Sequence, residues 1–321
     1  MKLLSKARLL LLTGLIVTGL AFAARARAQG PIPSGADIVQ GALLYDNWPA
    51  ALGVQPPAGN MPIWDRQTTD TRSGADTWRC SECHGWDYRG AQGAYKTGSH
   101  FTGFPDVMTL ASGMTVDQIV AHLKGSDDPA HDFSKYMPDT SLTQLADFLK
   151  YGTIDDSHTI DPVSLKVKDG NLQNGQKLYT SVCATCHGTD GEKIVFRSEG
   201  VTQFLGTLAV SDPWQFLHRT RFGTAGTNMP VGYELGWTVA DGRDILAYAQ
   251  TLPAGAPAAT SAPGSASSAP SRLLGGPATN LLTGILTGIG AFLGTIFGAL
   301  VFILILLGLA TLVVVLFRKR T

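Results

Sequence analysis

Cys80-Ser81-Glu82-Cys83-His84 and Cys183-Ala184-Thr185-Cys186-His187 take up all four cysteines of a 321-residue chain. Each is a Cys-x-x-Cys-His, the attachment signature of haem c. Two thiols within one helical turn add to the two vinyl groups of a porphyrin. The histidine that follows lies under the iron as its proximal ligand. Two Cys-x-x-Cys pairs can also share one zinc, and an oxidising compartment permits disulfides. Neither alternative gives a role to a histidine directly after both pairs. A thioredoxin-like redox pair needs a βαβ setting, which the surrounding sequence lacks. The expected cofactors are two covalently attached haem c groups, one bound by Cys80, Cys83 and His84 and the other by Cys183, Cys186 and His187.

Superposing the two motifs exposes an internal duplication. The second unit opens at Asn174-Gly175-Gln176-Lys177-Leu178-Tyr179 and passes through its motif to Gly188. A middle helix follows at Pro213 to Arg221, then Asn228-Met229-Pro230. A last amphipathic helix over Val239 to Leu252 offers Ile245, Leu246 and Tyr248 to a core. The first unit has the same parts: Gly41-Ala42-Leu43-Leu44-Tyr45, then His84-Gly85, a middle helix at Val116 to Lys124, and Met137-Pro138. Its last helix spans Leu142 to Tyr151, with Leu145, Phe148 and Leu149 at helical spacing. The units differ in one interval. Gly175 precedes Cys183 by 8 positions, whereas Gly41 precedes Cys80 by 39. The difference is an insertion at about 46–78, rich in Pro, Gly and Trp. A loop of that length is usually functional or disordered, and Trp48, Trp64 and Trp78 favour packing.

An opening G-x-x-L-Y helix, a C-x-x-C-H and a late Met-Pro before a final helix together resemble class I cytochrome c. The resemblance covers nearly all of residues 36–253, closely in the second unit and more loosely in the first. It implies an all-α fold with two tandem cytochrome c-like domains, residues 29–161 and 162–253. It also implies a methionine on the far side of each iron: Met137 in the first domain and Met229 in the second. Thioether ligation favours Fe(II) and raises the reduction potential. Met229 is the only methionine after the second motif. Met137 has competitors in Met61-Pro62, Met108 and Met114, and in the imidazoles of His100, His122 and His131. His122 and His218 hold similar places on the two middle helices, where each either touches a haem propionate or is solvated. Arg219 and Arg221 are propionate partners or an exposed basic face.

The chain ends are apolar. Residues 1–28 read as a secretory signal: Lys2, Lys6 and Arg8, an uncharged run from Leu9 to Ala24, and Ala26-Arg27-Ala28 before the cut. Residues 254–280 are rich in Ala, Pro, Ser and Gly with one Arg, the composition of a flexible linker. Residues 281–317 carry no charge and are followed by Arg318-Lys319-Arg320. About 20 apolar residues cross a bilayer, so a single transmembrane helix is expected near 297–317. The basic tail, 318–321, then lies on the cytoplasmic side. Gly290, Gly294 and Gly298 are spaced for close approach of a second such helix. The rest of the chain is expected on the periplasmic face of the cell membrane.

The overall formal charge of zero conceals an asymmetry. Residues 29–161 hold 17 acidic and 8 basic side chains, and residues 162–271 hold 8 of each. Nucleic acid is disfavoured as a partner, and a basic redox protein or a membrane respiratory or photosynthetic complex is favoured. With both irons saturated, the expected function is single-electron transfer, with no catalytic residues. The competing class is a dihaem enzyme, a peroxidase or sulfur-compound oxidase, which needs one open or displaceable iron position. A haem-based gas sensor is a third class, weakened by the short cytoplasmic tail.

Overall fold

Ser34 opens the first helix, α1 (Gly35–Leu52), its hydroxyl accepting a hydrogen bond from the Asp37 amide at 3.2 Å. Non-helical backbone at Asn47 kinks α1 two residues before an internal proline, Pro49. The helix ends where Gly53, in the left-handed region, turns its amide back to Ala50 and Pro49. The structure is a computed structural model that describes residues 33–198 and 201–255. The signal segment, the linker after residue 255, the apolar segment and the basic tail lie outside the described residues. Among the described residues no helix is long and apolar enough to cross a membrane.

The described chain is helical, in keeping with the all-α expectation, with one addition. A two-stranded antiparallel hairpin, β1 (Phe196–Ser198) and β2 (Val201–Gln203), pairs Arg197 with Thr202. The first helical set contains α1, α2 (Cys80–His84), α3 (Val107–Ser112), α4 (Val116–Leu123) and α5 (Asp139–Asp147). A π turn, Phe148–Gly152, continues α5. The second set contains α6 (Leu172–Leu178), a π turn (Tyr179–Cys183) and α7 (Ala184–His187). The hairpin follows, then α8 (Leu205–Ser211), α9 (Pro213–Phe222) and α10 (Val239–Ala249).

The two sets repeat one packing device. α1 crosses α5 at Gly41, and α6 crosses α10 at Gly175. A Cβ on Gly41 would strike the Gln144 carbonyl oxygen and the Phe148 side chain; a Cβ on Gly175 would strike the Asp244 carbonyl oxygen and press on Tyr248. Only glycine lets the two backbones approach so closely. Behind each crossing lies an apolar core. Leu142, Leu145 and Phe148 are fully buried in the first, and Ile245, Leu246 and Ala249 in the second.

The interval at 46–78 is not a loop throughout. Its first residues extend α1, and two short 3₁₀ turns follow, Pro62–Arg66 and Gly74–Trp78. Trp48, Trp64 and Trp78 are all buried. Each indole N–H finds a carbonyl: Trp48 on Trp78 at 2.9 Å, Trp64 on Arg72 at 3.0 Å, and Trp78 on Gly59 at 3.0 Å. Burial of each ring contributes roughly 2–3 kcal/mol, and the paired N–H removes the desolvation cost that would offset it. The interval is thereby a packed lobe.

The sets also dock on each other. α9 of the second set lies against α1, and Phe222 is fully buried in the core of the first set.

Candidate functional site

The first Cys-x-x-Cys-His forms the single-turn helix α2, ended by Gly85 at φ 74°. Tyr45, on α1, donates its hydroxyl to the Gly85 carbonyl at 2.6 Å and so fastens the end of the turn. His84 hydrogen-bonds through Nδ1 to the Pro105 carbonyl at 3.0 Å. A carbonyl acceptor requires the proton on Nδ1, which leaves the Nε2 lone pair free for a metal. Burial holds the His84 imidazole down at about 4, so it stays neutral.

Cys80, Cys83 and His84 open onto a cavity of about 400 Å³. Phe104, Val107, Leu123 and Phe133 form part of its apolar wall, and the inserted lobe closes one side with Met61 and Ile63. An apolar pocket of this kind suits a flat macrocycle. Met114, His122 and His131 also reach it. Met137 does not line this cavity. It is buried in the first core immediately before Pro138, which caps α5. The helix α5 begins at Asp139, so Met137 stands directly before a helix start.

Zinc is a poorer fit. Burial pushes the Cys80 thiol up to about 12 and the Cys183 thiol up to about 11. Among the described residues the one group of three metal donors is Asp70, Glu82 and His100, not the cysteines. Arg72 already pairs with both carboxylates there, at 2.8 Å and 3.1 Å.

The second motif repeats the first locally. Tyr179 donates to the Gly188 carbonyl at 2.7 Å, and Gly188 has φ 81°. Cys183 packs against the second core, whereas Cys186 is exposed. His187 is buried, its Nδ1 has no hydrogen-bond partner, and its ring lies 5.9 Å from that of Phe196. Met229 is half-buried, and its sulfur accepts the Thr224 hydroxyl at 3.2 Å. Residues 230–238 separate Met229 from α10, so it stands in a loop rather than at a helix end.

The residues that join the two sets escape a reading of sequence. His218, on α9, is fully buried and belongs to neither a propionate site nor a solvated face. Its Nε2–H donates to the Ala42 carbonyl at 3.2 Å, and its Nδ1 accepts from the Tyr88 hydroxyl at 2.8 Å. Burial holds its imidazole down at about 4. Asp46, 1 % exposed, accepts from Arg79 at 2.9 Å and from Arg219 at 3.1 Å. Both guanidiniums also lie over the Trp86 ring. Arg219 is thus spent on the seam, while Arg221 donates to the Trp237 carbonyl and stacks on Tyr233. Because Arg79 precedes Cys80 directly, the same ionic group ties the first motif to the second set. The one signal in sequence was the matched placing of His218 and His122; nothing local distinguishes a buried from a solvated imidazole.

No curated protein and no solved structure matches the chain. Residues 172–253 match the family model described as Cytochrome c.

Proposed function

We propose that the chain is a dihaem c-type cytochrome that passes single electrons between redox partners outside the cytoplasm, held to the membrane by its C-terminal apolar segment. One observation carries this reading. The contacts around Cys183–His187, inside the stretch that matches the family, recur around Cys80–His84: the glycine crossing, the tyrosine hydroxyl on the glycine carbonyl, and the turn ended by a positive-φ glycine.

Haem supplies a reversible one-electron iron couple when bound. The chain's own residues supply the rest. The cysteines fix the macrocycle's position, and His84 and His187 present neutral imidazoles. The apolar walls at the first motif exclude water. The seam of Asp46, Arg79, Arg219 and His218 supports a fixed relation between the two centres, which suits relay from one to the other. The acidic excess of residues 29–161 fits a basic partner, and the rate of electron transfer to such a partner should then fall with ionic strength.

The test is haem content and redox behaviour of the purified full chain. Two haems per chain, with reversible reduction and no turnover of peroxide or thiosulfate, is the expected result. One haem per chain defeats the dihaem reading, and turnover of either substrate moves the protein into the enzyme class.

A further inference from the structure

We propose that His131 is the second axial ligand of the first haem, so that its iron is held between the imidazoles of His84 and His131. The proposal deepens the dihaem reading above and rests on it. Both histidines line the cavity at Cys80 and Cys83. Their ring centres are 6.3 Å apart and their planes stand at 83°. A metal–imidazole bond is about 2 Å, and a ring nitrogen lies about 1 Å from the ring centre. Two imidazoles on opposite sides of one metal therefore have centres about 6 Å apart.

Both rings also show the orientation that metal-binding histidines take, with Nδ1 on a backbone carbonyl and Nε2 left over. For His84 the carbonyl is that of Pro105, and for His131 it is that of His122, at a longer 3.5 Å. His131 is well placed in its own element. It ends the 3₁₀ turn Pro129–His131, which is capped by Asp128. Arg66, from the inserted lobe, pairs with the same Asp128. Just beyond the turn, Phe133 donates to the Leu123 carbonyl at 2.9 Å, and Lys124 bridges Asp132. The Phe133 ring stands edge-on to His131 at 5.1 Å. The turn is therefore pinned on both sides.

The other donors are placed less well. His122 turns its Nδ1 to Asp127 at 2.7 Å, with its side chain more than a third exposed. Met137 does not line the cavity. Met61 and Met114 do, and Met61 is the rival that the experiment must separate.

The experiment uses the full-length, haem-loaded protein, with haem content measured first on the same sample. The oxidised protein is then examined by its long-wavelength methionine-to-iron charge-transfer band and by low-temperature electron paramagnetic resonance. Two haems per chain, a band of one-haem amplitude and a bis-imidazole low-spin signal are the expected results. His131→Ala should turn one of the two haems high-spin, and Met61→Leu and Met137→Leu should leave the bis-imidazole signal intact. A band of two-haem amplitude in the unaltered protein overturns the proposal without any variant. Loss of half the band in Met61→Leu or Met137→Leu overturns it as well. A haem content of one per chain defeats the underlying dihaem reading instead, so the two failures are told apart.

Discussion

The two Cys-x-x-Cys-His turns are built alike and housed differently. At each, a tyrosine hydroxyl holds the carbonyl of the glycine after the histidine, and a glycine in the opening helix presses on the last helix. Around the first turn the chain has added a lobe carrying three buried tryptophans, and His84 has a carbonyl partner. Around the second, the helix runs through a π turn directly into the motif, Cys186 is exposed, and the Nδ1 of His187 has no partner. The difference shows that a short motif sets the turn, while the burial and hydrogen bonding of its cysteines and histidine depend on what is packed around it. Under the proposed reading, a bis-imidazole first haem has a lower potential than a His/Met second haem. The repeat then becomes a pair of unequal centres, with electrons running from the first to the second.

The strongest test of the comparison is the joint between the regions. Asp46→Ala leaves Arg79 and Arg219 buried without their shared carboxylate, and the expected loss is about 3–5 kcal/mol in denaturant unfolding. A loss under about 1 kcal/mol would mean that the sets are stable independently. Next come the glycine crossings. Gly41→Ala and Gly175→Ala should each cost about 3 kcal/mol, because a carbonyl oxygen rather than a movable side chain is in the way. Unequal losses would break the claimed equivalence of the two crossings.

How far all this was legible in the sequence depends on the range of the interactions. The helices over 116–123, 213–222 and 239–249, the core residues Leu145 and Ile245, and the placing of the motifs follow from local spacing, and the structure has them there. The seam does not follow, because His218 meets Ala42 across 176 positions, and no periodicity encodes such a contact. Met137 and Met229 read identically as Met-Pro pairs. They differ because one abuts a helix and the other lies in a loop, and helix starts are the least certain feature of any sequence reading. His131 stands in sequence among several candidate ligands, and only the structure sets its ring centre 6.3 Å from that of His84.

A pH titration sharpens the seam further. The imidazole of His218 is depressed to about 4 in the folded chain, below its ordinary value near 6.5. Between those values the unfolded chain takes up the proton and the folded chain does not. The stability attributable to neutral His218 is therefore complete above about pH 6.5 and is lost as pH falls through about 4. The depression corresponds to roughly 3 kcal/mol. His218→Gln should flatten that part of the stability profile, and an unchanged acid limb would show that the seam is not where protons are resisted. The smallest effects belong to the tyrosine hydroxyls. Tyr45→Phe removes a buried hydrogen bond and Tyr179→Phe a partly buried one, each with an expected loss of about 1–2 kcal/mol. Similar losses would extend the equivalence of the two turns to their energetics.

The tryptophan lobe also bears on the order of events in biosynthesis. Cys83 is buried in the same continuous core as Trp64 and Trp78. On the dihaem reading, an attachment enzyme must reach this thiol while the lobe is still open, so cofactor loading at the first motif has to come before folding. The exposed thiol of Cys186 sets no such deadline. The first motif thus matures under a time limit that the second escapes, and slow haem supply would strand chains loaded only at the second motif.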